Sequence, residues 1–162
     1  MGKRPVWHGQ ADAIVSRSRA AHQRLRQVVA DSPRHLRGTL QRAMVEAERL
    51  LKRQQTLRDA VLRVGKGLLG VDLRRIKREL AEYQRREAAE PNPKVKAQYT
   101  HARKALESQL AHYGAAAQKL RQLLEAMREI QGTLEAMQPR LARLAVCTVD
   151  TTTDVELETS QE

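Results

Sequence analysis

Apolar residues spaced alternately three and four positions apart form one long run, from Tyr99 to Leu144. The run continues for more than six heptads and is interrupted only at Gln109. This spacing lines up side chains along one stripe of an α-helix, and at this length it is typical of a coiled-coil seam. Because Leu110 and Leu124 widen the stripe, we expect the helix to face more than one partner helix. The sequence therefore predicts an all-α fold organised around one long helix.

The composition favours the same fold class. Phenylalanine is absent, aromatic residues make up 2% and charged residues 30% of the 162 residues, a composition typical of long helices and coiled coils. The net charge of +11 is unevenly placed, since residues 1–89 carry 21 Lys and Arg against 9 Asp and Glu, whereas residues 148–162 carry 0 and 5. This excess favours polyanionic partners such as phosphates or anionic lipid, although arginine is also a good helix former.

The chain divides into a basic flexible lead (1–8), a helical domain (9–147) and a Thr-rich, acidic tail (148–162), which has no helical period and which we expect to be disordered. The predicted helices cover about 9–31, 33–66, 70–89 and 93–146. Ser32 and Pro33 are suited to begin the second helix, Asp72 to cap the third, and Asn92 to cap the fourth.

The predicted helices can be paired as an antiparallel hairpin that turns near Pro91. Tyr83 and Tyr99 are each eight residues from Pro91, and Gln54 and Met127 are 37 and 36 residues from it. These pairs occupy seam positions and would face each other across the hairpin. We therefore predict an elongated helical hairpin of the coiled-coil type, with the first helix packed at its open end. The acidic tail is expected to fold back and screen the basic faces.

Glycines interrupt the seam midway along the hairpin and form a candidate hinge. The pattern shifts by one residue after the glycines, which predicts a kink, a bulge or a short break. Small residues near position 114 would lie opposite and permit either close approach of the two backbones or a shared bend. The candidate hinge residues are Gly65, Gly67, Gly70 and Gly114.

The first helix combines an apolar stripe with arginines on both of its edges. Arg17 and Arg24 border one edge, and Arg19 and Arg26 border the other. With Trp7 just upstream, the stripe could enter an anionic membrane interface while the arginines reach lipid headgroups. The alternative is that these arginines flank a coiled-coil seam and the helix packs beside the hairpin. We favour packing within the protein.

A second basic zone lies on the third predicted helix and could follow the phosphates of a nucleic acid. No aromatic platform accompanies it, so base stacking and sequence-specific binding are not expected. The candidate polyanion-contacting residues are Arg74, Arg75, Lys77, Arg78, Arg85 and Arg86.

Motifs for catalysis or metal binding are not found in the sequence. The five histidines have no metal-ligand spacing, Cys147 is the only cysteine, and Gly65-Lys66-Gly67 lacks the rest of a phosphate-loop pattern. We expect a protein that is not an enzyme, with no cofactor, no metal and no small-molecule substrate. The N-terminus lacks a signal-peptide pattern and no segment is apolar enough to span a membrane.

These expectations favour a coiled-coil scaffold or adaptor in the cytoplasm, acting through self-association or through another helical protein. The first alternative is a peripheral membrane protein that binds anionic lipid through the first helix. The second is a non-specific binder of nucleic-acid backbones.

Overall fold

The computed structural model describes the backbone of residues 5–159 and the side chains of residues 5–146. All regular secondary structure in this part of the chain is helical, as predicted. The elements are α1 (Val6–Ala30), a short 3₁₀ turn (Arg34–Leu36), α2 (Arg37–Leu68), α3 (Leu73–Ala89) and α4 (Pro93–Thr159).

Both ends of the helical region extend further than the sequence indicated. Helix α1 begins at Val6 rather than near residue 9, with Pro5 at its N-cap position, where its carbonyl oxygen accepts hydrogen bonds from the backbone N–H groups of His8 and Gly9. Helix α4 continues to Thr159 rather than ending near residue 146, and it contains Pro139. No Pro or Gly follows Pro139 to stop the helix. Residues 1–4 of the predicted lead and 160–162 of the predicted tail lie outside the described residues.

Side-chain caps fix the starts of α3 and α4. Asp72 Oδ1 accepts a hydrogen bond from the backbone N–H of Arg75 at 3.0 Å, and Asn92 Oδ1 accepts one from the backbone N–H of Lys94 at 3.0 Å. Each cap satisfies a donor that the first helical turn leaves without a partner. These two predicted caps are confirmed.

The predicted cap at Ser32 is wrong. Ser32 is buried, and its hydroxyl donates to the carbonyl oxygen of Val28 at 2.6 Å, while the 3₁₀ turn begins without a side-chain cap. The hydroxyl therefore satisfies the end of α1 instead of the start of the next element. A serine between two helices can hydrogen-bond to either of them.

The chain forms two compact units, to which α2 and α4 each contribute residues. Unit 1 comprises Met1–Val61 and Leu123–Glu162, and unit 2 comprises Leu62–Gln122. In unit 1, helices α1, α2 and α4 share one apolar core. Its buried members are Ala21, Leu25, Leu40, Met44, Ala47, Ile130, Leu134 and Leu141.

Unit 2 is held together by a much smaller set of buried side chains. Within residues 62–122, the buried apolar side chains are Ile76, Leu106 and Leu120. Helices α3 and α4 run antiparallel from the turn at residues 90–92, and the ring centroids of Tyr83 and Tyr99 lie 6.2 Å apart. The predicted pairing of these two tyrosines is confirmed.

The glycine-rich segment is a short break between α2 and α3. Gly65 and Gly67 lie inside α2, which ends at Leu68, and Gly70 follows with a backbone φ of 79°. A left-handed glycine just beyond a helix is a common way to terminate it. Of the two predicted alternatives, close approach of the backbones is absent at Gly67 and Gly114, since a Cβ added to either would meet nothing within 4 Å; a shared bend stays a prediction.

We expect Gly70→Ala to destabilise the protein by about 1–2 kcal/mol, because alanine is strained at positive φ. The matched Gly67→Ala variant should instead gain up to about 1 kcal/mol, since it replaces glycine within a helix in open space. Urea unfolding followed by circular dichroism measures both. Equal effects of the two substitutions would contradict a helix end at this point.

Candidate functional site

The apolar stripe of α1 lies inside unit 1. The side chains of Ile14 (6% exposed), Ala21 (1%) and Leu25 (0%) are buried, and the last two belong to the core shared with α2 and α4. Such a stripe is not exposed to lipid while α1 is packed in this way. Trp7 is half-buried at the start of α1, next to the imidazole of His8.

The arginines beside this stripe contact side chains of neighbouring helices. Arg17 donates from Nε and Nη2 to the two carboxylate oxygens of Glu135 on α4, at 3.2 and 3.3 Å. Arg24 donates to the side-chain oxygen of Gln138 on α4 at 3.1 Å. Exposed contacts of this kind contribute little to stability but select which faces meet.

The other edge of α1 faces α2. Arg19 donates to the side-chain oxygen of Gln55 at 3.3 Å, whereas Arg26 is exposed. Asp12 accepts a hydrogen bond from Arg58 Nε at 2.9 Å, which forms a further ion pair between α1 and α2. This pair was not predicted from the sequence. The sequence contains two opposite charges beside the seams of different helices, but they can be matched only when the alignment of the two helices is known.

A buried glutamine joins all three helices of unit 1. Gln54 is 0% exposed, and its amide nitrogen donates to the Ser18 hydroxyl of α1 and to the backbone carbonyl of Met127 in α4, both at 2.8 Å. The Ser18 hydroxyl in turn donates to the carbonyl of Ile14 at 2.9 Å. Gln54 Oε1 is buried without a hydrogen-bond partner. A glutamine at a seam position was the available sequence signal.

The basic zone on α3 is exposed along its whole length. Arg75 pairs with Glu79 at 3.6 Å, and Arg85 and Arg86 both pair with Glu82. The other three cations have no ion pair or hydrogen bond within the described part of the chain. They are Arg74, Lys77 and Arg78.

Near the turn between α3 and α4, a carboxylate bridges the two helices. Glu87 accepts hydrogen bonds from the Arg103 guanidinium and from the Thr100 hydroxyl, the latter at 2.8 Å. These bonds, led by the one from Arg103, lower the pKa of Glu87 below its ordinary value of 4.5. The same hydrogen bond raises the pKa of Arg103, so the pair is ionised at neutral pH.

We expect Glu87→Gln to destabilise the α3–α4 turn at neutral pH, because the ionised carboxylate is what Arg103 binds. A lowered folded-state pKa stabilises the fold above the unfolded pKa and loses that contribution as the pH falls through the folded-state value. The difference between wild type and variant should therefore shrink below about pH 4.5.

Thermal unfolding of both proteins, measured from neutral pH down to about pH 3, tests this pH dependence. The control is Glu129→Gln, which alters an exposed carboxylate of α4. A difference between Glu87→Gln and wild type that persists unchanged in acid would show that the ion pair is not its cause.

An open groove lies in unit 2 beside the helix break. Its volume is about 390 Å³ and its lining comes from the end of α2, the break, α3 and α4. Two apolar side chains of the break are unusually exposed, Leu69 at 56% and Val71 at 38%. The groove was not predicted, because its lining residues are far apart in sequence. They include Leu68, Val71, Ile76, His112, Tyr113 and Ala116.

The described residues show neither a candidate metal site nor a helix suited to span a membrane. They contain no group of three or more His, Cys, Asp or Glu side chains that could hold a metal ion. They also contain no helix with the length and apolar character needed to cross a bilayer. The hinge role of Gly65, Gly67, Gly70 and Gly114 stays a prediction.

The comparisons with known proteins do not assign the chain to a family. No protein-family model, curated protein or solved structure matches it.

Proposed function

We propose that the protein is a non-enzymatic helical scaffold or adaptor that acts by self-association or by binding another helical protein. The observation that carries the proposal is the contrast between the units. Unit 1 buries the stripe of α1 between α2 and α4, whereas unit 2 leaves an apolar groove and the side chain of Leu69 open. Exposed apolar patches on a helical protein are typical of sites for another protein.

The proposal includes a coiled-coil hairpin formed by the seams of α2, α3 and α4, and a cytoplasmic location. The hairpin is supported by the cross-helix contacts of Gln54 with Met127 and of Tyr83 with Tyr99. Seam residues that meet in this way produce an extended surface rather than an enclosed pocket. Extended helical surfaces suit binding to other helices.

Sedimentation velocity over a wide range of protein concentrations tests self-association. Chemical cross-linking in extracts of the native cells, followed by mass spectrometry, tests for a helical partner. We expect either a mass that grows with concentration or a reproducible cross-linked helical protein. A chain that stays monomeric and forms no cross-links to other proteins would overturn the proposal.

A second candidate function is non-specific binding of nucleic-acid backbones, favoured by the exposed and unpaired Arg74, Lys77 and Arg78. If it is correct, binding to duplex DNA should weaken steeply as salt rises. Charge reversal of these three residues should make that dependence shallower. Binding that is insensitive to salt or to these substitutions would exclude it.

Binding to anionic membranes through α1 is the third possibility. It requires α1 to leave unit 1, because residues such as Leu25 are buried there. The proposal of a scaffold does not need this step.

A further inference from the structure

Unit 2 has the geometry of a helix pair that lacks a third helix. In unit 1, α1 occupies the groove between α2 and α4 and buries six of its own residues there. Unit 2 contains only the last two turns of α2 together with α3 and residues 93–122 of α4, so most of this α3–α4 pair has no third helix of unit 2 beside it. The groove next to Ile76 and Tyr113 lies in this part of unit 2.

The charge around the groove specifies the kind of helix that it would accept. Unit 2 carries 14 Lys and Arg against 6 Asp and Glu, an excess of +8. Arg63 lies one turn before the groove residue Gly67, and Lys119 lies one turn after Ala116. Both cations are exposed and have no ion pair or hydrogen bond among the described residues.

Unit 1 shows how charged side chains beside a helix groove pair with a third helix in this protein. There α1 supplies the arginine in the pair of Arg17 with Glu135 of α4 and the carboxylate in the pair of Asp12 with Arg58 of α2. In unit 2 the cations lie on the helices that form the groove, so the incoming helix must supply the carboxylates. Asp72, the acidic residue of the break itself, is already engaged in capping α3.

We propose that the unit 2 groove binds an amphipathic helix of a partner protein. Its apolar face enters the groove, and Asp or Glu on its flanks pairs with Arg63 and Lys119. This inference rests on the proposed function and specifies the chemistry of its partner. Unit 2 of a second copy is disfavoured as the occupant because it carries the same excess of +8.

A pair of designed helical peptides tests the proposal on the full chain. Both carry leucine at positions i, i+3, i+4 and i+7; one has glutamate and the other lysine at the flanking positions. Fluorescence anisotropy should show binding of the acidic peptide and on the order of tenfold weaker binding of the lysine peptide.

Two sets of variants locate the binding site. The double variant Arg63→Glu, Lys119→Glu should weaken the acidic peptide on the order of tenfold. The control Arg53→Glu, Arg140→Glu makes the same change in net charge on exposed residues of unit 1 and should leave the affinity nearly unchanged. Val71→Ala should also weaken binding, because Val71 lines the groove and is 38% exposed.

If the acidic peptide binds, three outcomes would still overturn the inference. They are equal binding of the two peptides, equal effects of the two double variants, and duplex DNA displacing the acidic peptide, which would assign the basic surface to nucleic acid. If the peptides fail to bind while sedimentation still shows self-association, the groove inference fails and the scaffold proposal stands.

Discussion

Replacing Leu134 with alanine is expected to cost about 2–5 kcal/mol of folding stability. Leu134 is 0% exposed and belongs to the unit 1 core with residues of α1 and α2, among them Leu25 and Met44. Its loss removes apolar contacts and leaves a cavity between three helices that can only partly collapse. A domain with about 5–15 kcal/mol of total stability would lose a large part of it.

The matched control is Leu69→Ala, since Leu69 is 56% exposed and its truncation should change stability by less than about 0.5 kcal/mol. Urea unfolding gives the global effect, and native-state hydrogen exchange shows whether the loss is in unit 1. This second measurement is needed because two units can unfold separately. Equal losses in the two variants would contradict the assignment of Leu134 to the core.

Opposite effects are expected from two substitutions of Gln54. Gln54→Ala should cost about 2–5 kcal/mol, because it empties a fully buried site at the centre of unit 1. Gln54→Met keeps most of the volume and should stabilise the protein by about 1 kcal/mol, because it removes the unpartnered Oε1. The Ser18 hydroxyl keeps its hydrogen bond to Ile14 in both variants.

The more stable methionine variant should nevertheless define the helix alignment less well. Gln54 contacts both α1 and α4 at one level of the core, and a buried polar residue can fix the register of packed helices at a cost in stability. Amide NMR spectra should therefore show broader or additional signals for Gln54→Met. A less stable Gln54→Met variant would show that the hydrogen bonds donated by the Gln54 amide stabilise the fold by more than its unpartnered oxygen destabilises it.

The sequence was most informative where one periodic pattern determines an entire helix. The seam spacing predicted that Gln54 would meet Met127 and that Tyr83 would meet Tyr99, and both pairs are in contact. Local cap chemistry also predicted the roles of Asp72 and Asn92. The same reasoning was wrong at Ser32, because a hydroxyl between two helices can hydrogen-bond to the end of the first or to the start of the second.

Candidate sites were harder to predict, because exposure depends on how helices from distant parts of the chain pack. The exposed charges on α3 follow directly from their positions opposite the seam. The sequence of α1 alone could not distinguish an arginine that pairs with Glu135 from one that contacts lipid, because the distinction depends on the position of α4. The groove, with Val71 and His112 on different elements, has no signature within any one segment.

The break between α2 and α3 determines where this chain can accept inserted or deleted residues. In a continuous helix, one inserted residue rotates everything beyond it by about 100° and turns the apolar stripe away from its partner. The non-helical residues between Leu68 and Leu73 allow the phase of α3 to be set independently of the phase of α2. Insertions or deletions of single residues should therefore be tolerated at this break and rejected within the helices on either side of it.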